Sequence, residues 1–360
     1  MNNIYTAHCE GYEDEALRKM IENYFESEAE RLKRAETILI KPNLLSAAKP
    51  EKAVTTHPKF VDTVIKILKE YTDAKLLLGD SPGANFSNYD KVLNVTGMTK
   101  VVSDNNIEIA CVESYKPVNL NGIVYSSLAD EVDIIINLAK LKTHSLTGLT
   151  LAVKNLFGLI PGTSKVGYHR DFPKDEILAD QIFKFFSILN DKTMNIIDGI
   201  IGMEGDGPSK GTPVELNIAA ASSDAVGLDI AVTRMVGFKD DFCLTSKAAI
   251  AGGYDKSHID VPEADIPLIK KPTSKKMVLP AFIKGLVAKQ VYVKPVVLIE
   301  PCIKCMLCRK SCPVDAISIV DGYPFVDKKK CIECFCCHEV CESDAVGLER
   351  SWLHRMWVSK

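Results

Sequence analysis

"VDIIINLAK", residues 132–140, carries an apolar stretch from Ile134 to Ala139, interrupted only by Asn137. It is too short for a core helix, rich in β-branched residues and without polar alternation, which reads as a strand buried on both faces. Similar stretches lie on either side of it. "AETILIKPNLL" (35–45) reads as a buried strand ending at Pro42, "AKLLLGDSPG" (74–83) as strand and turn, and "MNIIDGIIG" (194–202) and "VELNIAAA" (214–221) as further strands. Between them, "THPKFVDTVIKILKEY" (56–71) places Phe60, Val61, Val64, Ile65 and Leu68 on one helical stripe. "SDAVGLDIAVTRMVG" (223–237) reads as a helix capped by Ser222 or Ser223. Short apolar strands alternating with amphipathic helices predict an α/β fold with a mostly parallel sheet covered by helices on both faces. In such folds sites form at the carboxyl ends of strands.

The residues just beyond that strand are skewed in charge. From Leu138 to Arg170 there are five Lys or Arg and two His but no Asp or Glu, where the overall composition would put about four acids. The skew creates a local positive field in which a carboxylate, a phosphate or another anion could be held. Lys142, Thr143 and His144 are expected on the turn after the strand. Lys154 and Asn155 follow about three helical turns later, ahead of Gly158 and Gly162. With Thr147 and Thr150 they offer charge, orientation and proton transfer, His144 being the candidate for proton delivery. The same residues also suit a solvated basic face with a glycine-rich turn.

Acidic residues gather elsewhere. Asp198, Glu204 and Asp206 sit among glycines in "IIDGIIGMEGDGPSKG", and Asp80 stands in "GDSPG" at a strand end. Carboxylates there could bind a hard cation or donate protons, or act as turn residues. Asp224 is expected to serve a helix N-terminus through its charge.

Nine of the twelve cysteines fall between Cys302 and Cys341. A disulfide framework suits small exported chains, and "MNNIYTAHCEGYEDE" lacks the basic and apolar start of an export signal. The crowding therefore points to metal. The runs are Cys302-x2-Cys305-x2-Cys308-x3-Cys312-Pro313 and Cys331-x2-Cys334-x2-Cys337-x3-Cys341. Zinc ribbons separate two pincers by a longer loop. The pattern resembles the bacterial ferredoxin module with two [4Fe–4S] clusters, in which three close thiolates hold one cluster and the fourth crosses to the other. The resemblance implies Cys302, Cys305, Cys308 and Cys341 on one cluster, with Cys331, Cys334, Cys337 and Cys312 on the second. Glu342 stands where that pattern has a second proline, and Cys336 is a surplus thiol. The short segments 296–300, 316–327 and 345–349 match the two-fold repeat of a small α+β ferredoxin-like domain. All-thiolate clusters of this kind imply low potentials and a reducing cytoplasm, as in an anaerobe.

The expected organisation is an α/β domain over residues 1–265, a basic linker over 266–295, a ferredoxin domain over 296–349 and a tail over 350–360. The linker carries seven lysines and no acid from 266 to 294; it suits a helix packing one domain on the other, or a docking segment. Both tryptophans of the chain lie in the tail, which suits a cap folded back on the protein. At 360 residues, 46% hydrophobic and 25% charged, the chain can bury a sizeable core. A net charge of -3 gives no overall reason to expect nucleic acid. No run of about 18 uncharged apolar residues suggests a transmembrane segment. A soluble cytoplasmic protein is expected.

The ordered motifs "KPNLL", "GDSPG", "NLAKLKTH", "LAVKNLFGLIPG", "NIIDGIIGMEGDGPSKG" and "SSDAVGLDIAV" resemble the DUF362 family of iron–sulfur proteins over roughly residues 36–240. Many members carry an appended ferredoxin module, and the family name leaves the chemistry open. "KNLFGLIPG" is similar to the lysine loop of nickel-pincer lactate racemases, but the spacing differs and their histidine motifs are not recognisable here. The first functional expectation is an iron–sulfur oxidoreductase that takes electrons from a soluble donor and passes them to an anionic substrate or further cofactor in the α/β domain. The alternative is an electron-transfer or maturation protein that serves a partner enzyme without substrate chemistry of its own. Neither a dinucleotide fingerprint nor a P-loop is present.

Overall fold

A computed structural model of the chain describes residues 3–83, 88–261, 266–273 and 292–351. Its body strands are β1 (Tyr5–His8), β2 (Thr37–Pro42), β3 (Lys75–Leu78), β4 (Glu108–Ile109), the outlying hairpin β5 (Pro117–Leu120) and β6 (Ile123–Ser126), β7 (Ile134–His144), β8 (Gly148–Thr150), β9 (Thr193–Glu204) and β10 (Thr212–Ser222). Eight of them form one sheet in the order β1-β10-β9-β7-β2-β3-β4, with β8 beside β7. The pairs β2–β3, β2–β7, β3–β4 and β7–β9 are parallel, whereas β9–β10, β1–β10 and β7–β8 are antiparallel. The sheet is therefore mixed but mostly parallel, as expected from its unalternated apolar strands.

Alternate residues of these strands feed two cores. Ile38, Ile40, Ile134, Ile136 and Leu138 pack with α1 (Glu15–Ser27), α2 (Ala29–Arg34), α3 (Pro58–Leu68), α4 (Tyr89–Val95) and α5 (Met98–Asn105). Leu39, Ile135, Ala139 and Leu141 face the other way. They meet α6 (Leu128–Glu131), α7 (Ala152–Asn155), α8 (Gly162–Asp171), α9 (Asp175–Leu189), α10 (Ala225–Met235) and α11 (Leu244–Ala251). Each large apolar side chain so buried contributes about 1.5–3 kcal/mol, so two full faces hold the sheet firmly. The stripe Phe60, Val61, Val64, Ile65 and Leu68 is wholly buried on α3.

Three local expectations change. Lys142, Thr143 and His144 are not on a turn, because β7 continues through them and pairs with β8 in the register Lys142↔Thr150, Thr143↔Leu149 and His144↔Gly148. Lys154 and Asn155 follow that hairpin on the single turn of α7, not at the end of a three-turn helix. The cap of α10 is Asp224, whose carboxylate accepts from Gly227 N at 3.0 Å, while Ser222 Oγ accepts from Asp224 N at 3.1 Å. A carboxylate is the stronger acceptor at a helix N-terminus.

The C-terminal module contains β11 (Val293–Val297), α12 (Leu307–Lys310), β12 (Ile317–Val320), β13 (Tyr323–Val326), α13 (Cys336–Glu339) and β14 (Val346–Arg350), with β11–β14 and β12–β13 paired antiparallel. Its halves repeat at the 29-residue interval that separates Cys302 from Cys331. Lys304, Met306 and Asp315 have positive φ in the first half, as do Glu333, Phe335 and Asp344 in the second. Non-glycine residues seldom take that conformation, so three matched pairs mark one backbone path used twice. Much of the predicted linker, residues 274–291, and the tail residues 352–360 lie outside the described residues.

Candidate functional site

At the carboxyl ends of β2, β3 and β7 the sheet opens into a cavity of about 110 Å³. Its floor is set by a chain of asparagine amides across the sheet. Asn43 Nδ2 donates to Asn155 Oδ1 at 2.9 Å, Asn155 Nδ2 to Asn137 Oδ1 at 2.8 Å, and Asn137 Nδ2 to Asn195 Oδ1 at 2.8 Å. Each link orients the next, so Asn43 Oδ1 is presented to Lys142 Nζ at 2.9 Å. Lys142 also donates to Val54 O at 2.5 Å. Burial, followed by the nearby Lys154, pulls its ammonium down to about 7.

Lys41 and Asp80 form a buried ion pair at 2.7 Å on the same wall. Asp80 also accepts from Leu44 N at 2.6 Å. A Cβ at Gly158 would lie 1.9 Å from Asp80 Oδ1 and 2.5 Å from Lys41 Nζ, so any larger residue there would displace this buried ion pair. Lys165 of α8 donates to Ser81 O, and burial lowers it to about 8. Lys154 keeps part of its surface open to the cavity and lies over the Phe157 ring at 5.6 Å. Burial lowers its affinity for a proton as well.

His144 is 5% exposed. Its Nδ1 accepts from Leu146 N at 3.1 Å and Thr147 N at 3.4 Å. Its Nε2 lies 4.0 Å from Glu339 Oε1. Burial, then Lys154 and Lys142, holds the ring well below the usual histidine range. Glu339 belongs to the cysteine module, and burial raises its carboxyl to about 7 against the pull of Lys154 and Lys142. Cys336 and Val340 of the module line the cavity with it.

The second cysteine run encloses a space of its own. Cys312, Cys331, Cys334 and Cys337 line one small cavity, while Cys308, Cys337 and Cys341 pack with Cys302, Cys312 and Cys331. Ala316 N donates to Cys312 Sγ and Ala345 N to Cys341 Sγ, both at 3.2 Å, again one repeat apart. Among the described residues no three His, Cys, Asp or Glu side chains converge tightly enough to hold a metal ion. A cubane binds its four thiolates on four different irons, so its ligands stand further apart than those of one ion. The donor type, the repeated backbone and the cavity suit a [4Fe–4S] cluster.

Of the residues singled out in the sequence, Lys142, His144, Lys154, Asn155 and Asp80 line one cavity, with Thr150. Three do not. Thr143 turns its hydroxyl to Met203 O at 3.4 Å. Asp198 accepts from Lys140 Nζ at 2.7 Å and from Tyr12 OH at 3.3 Å, inside the sheet. Glu204 accepts from Lys270 N at 2.9 Å and Lys270 Nζ at 2.7 Å. Sequence reasoning missed Lys41, Asn43, Lys165 and Glu339. Asn137 and Asn195 carried a legible signal, since a polar amide inside an apolar strand needs partners.

Residues 38–234 match the family described as Domain of unknown function (DUF362), and residues 295–318 match the 4Fe-4S binding domain. A similar protein is the thylakoid-associated protein sll1697 of Synechocystis sp., 32% identical over 209 residues. That match spans 57% of this chain and 64% of the relative's length. A crystal structure of a Thermotoga maritima protein overlaps 58% of this chain and 56% of its own at a TM-score of 0.32 and 11% identity. The C-terminal match makes this an iron–sulfur chain with an electron-transfer module. With more than half of its residues matched in one continuous span, the chain belongs to the DUF362 family.

Proposed function

We propose that the chain is an iron–sulfur oxidoreductase, with two [4Fe–4S] clusters in its module and an anionic substrate or cofactor in the basic cavity. The observation that carries this reading is that Cys336, Glu339 and Val340 of the module line the same cavity as Lys142, His144 and Lys154. One helical turn, α13, has Cys337 against the cysteine cavity and Cys336 against the basic one. Bound clusters supply single low-potential electrons there. Cys302, Cys305, Cys308 and Cys341 would hold one cluster and Cys312, Cys331, Cys334 and Cys337 the other, in the module over residues 296–349 that follows the α/β domain and linker.

The chain's own residues supply the rest. Lys154 and Lys142 attract and orient the anion, and Lys142, with its ammonium near 7, can return a proton at neutral pH. The Lys41–Asp80 pair and the asparagine chain fix the wall, so little reorganisation accompanies binding. The test is anaerobic reoxidation of the pre-reduced protein by fractionated cell metabolites, wild type against Lys154→Met. Reoxidation by a small-molecule fraction that the variant loses, with its cluster spectrum intact, supports the reading.

A second reading, electron delivery to a partner protein, draws on the module's outer surface. Cys305 is exposed there, and Ile303 and Phe325 are 67% and 57% exposed. Exposed apolar side chains on a module with an exposed cysteine suit a protein donor or acceptor. Reoxidation by protein fractions alone, unchanged in Lys154→Met, would favour it.

A further inference from the structure

His144 presents two nitrogens in different circumstances. Two backbone N–H groups, from Leu146 and Thr147, converge on Nδ1. A nitrogen that accepts from them must carry a lone pair, so a neutral ring has its proton on Nε2. That Nε2 belongs to a residue of the cavity wall, and at 4.0 Å the Glu339 carboxylate is too far for a hydrogen bond. Charge around the ring comes from Lys142 on β7, Lys154 on α7, His169 on α8 and Glu339 on α13. Three of these disfavour a second proton. Nearby, Thr150 is 3% exposed, lines the cavity and has a buried hydroxyl with no hydrogen-bond partner.

A neutral imidazole with Nε2–H has no lone pair facing the cavity, so it cannot act there as a base. Giving up that proton would leave an imidazolate, which ordinary pH does not allow. We infer that His144 is a fixed hydrogen-bond donor, and that the cavity's ligand turns an acceptor oxygen, a carboxylate or carbonyl, toward His144 Nε2, the Thr150 hydroxyl and Lys154. This rests on the anion-site reading above and replaces proton delivery by His144 with recognition. A protonated amine, which has no acceptor, would leave these donors unmatched.

Two measurements on the holoprotein test this. In protein labelled with ¹⁵N-histidine and with oxidised clusters, the ring signals lost in His144→Gln should report the neutral Nε2–H form, unchanged from about pH 6 to 9. An Nδ1–H form, or titration to imidazolium in that range, would overturn the donor assignment. Oxalate, which offers acceptor oxygens only, should bind wild type and His144→Gln within about threefold, because the glutamine amide still donates. His144→Ala should bind at least about tenfold more weakly, the loss of one hydrogen bond to a charged group. Equal losses in both variants would also overturn it. Oxalate binding to none of the three, with the Nε2–H signal present, would overturn the ligand assignment and the anion-site reading while leaving the tautomer standing.

Discussion

Leu307 and Cys336 occupy the same place in the two halves of the module, each opening its short helix one residue before Cys308 or Cys337. Leucine cannot ligate iron, so the repeat makes Cys336 a wall residue of the basic cavity. Cys336→Ala is therefore predicted to retain about eight irons per chain, as two [4Fe–4S] clusters require, whereas Cys337→Ala should retain about four. Iron analysis with Mössbauer spectroscopy decides this, and equal loss in both variants would contradict it. The excess thiol was visible in the sequence, but its direction was not, because direction comes from a left-handed Phe335 that spacing does not reveal. Lys142, His144 and Lys154 were legible from the acid-free window, since one segment supplies them all. Glu339 was not, because it reaches the cavity from a module nearly two hundred residues further along the chain.

Among the elements, β7 was readable as a buried strand from its apolar run, but its end was not. The expectation of a turn at Lys142 followed the polar residues. The chain instead stays extended, since β8 pairs with it and buries those polar groups. The start of α7 depends on another element: Asp229 of α10 accepts from Ala152 N at 2.8 Å and Val153 N at 3.1 Å. Burial raises that carboxyl to about 8 in spite of both donors. A raised folded value means the neutral form is favoured, so its contribution is full below the usual carboxylate range and is lost as pH rises through about 8. Asp229→Asn has no such proton to lose. The stability advantage of wild type over Asp229→Asn should therefore shrink between pH 5.5 and 8, by at most about 1.4 kcal/mol per pH unit. A gap in denaturation midpoints that stays constant with pH would refute this.

For the whole molecule, the decisive feature is how the module sits on the body. Arg350 Nη2 donates to Asp206 Oδ2 at 2.7 Å, and Lys210 Nζ donates to Cys341 O at 2.8 Å while pairing with Asp344. Partly exposed pairs of this kind contribute about 0–1 kcal/mol each, so they set placement more than stability. The double variant Lys210→Ala/Arg350→Ala should keep its cluster spectrum and nearly its wild-type denaturation midpoint, while amide exchange at residues 336–340 quickens several-fold. Unchanged exchange there would show that other contacts hold the module. The sequence announced both parts of this molecule through hydrophobic periodicity and cysteine spacing, which are local signals. Their apposition was not legible, because it depends on scattered charges such as Asp206 and Lys210, which look like turn residues in isolation. The most direct test of that apposition is electron–nuclear double resonance on the reduced protein with bound ¹³C-oxalate. The predicted result is two reduced [4Fe–4S] signals, only one of which shows a ¹³C coupling that Lys154→Met abolishes. A single cluster signal, or oxalate demonstrably bound yet without coupling to either cluster, would contradict the account.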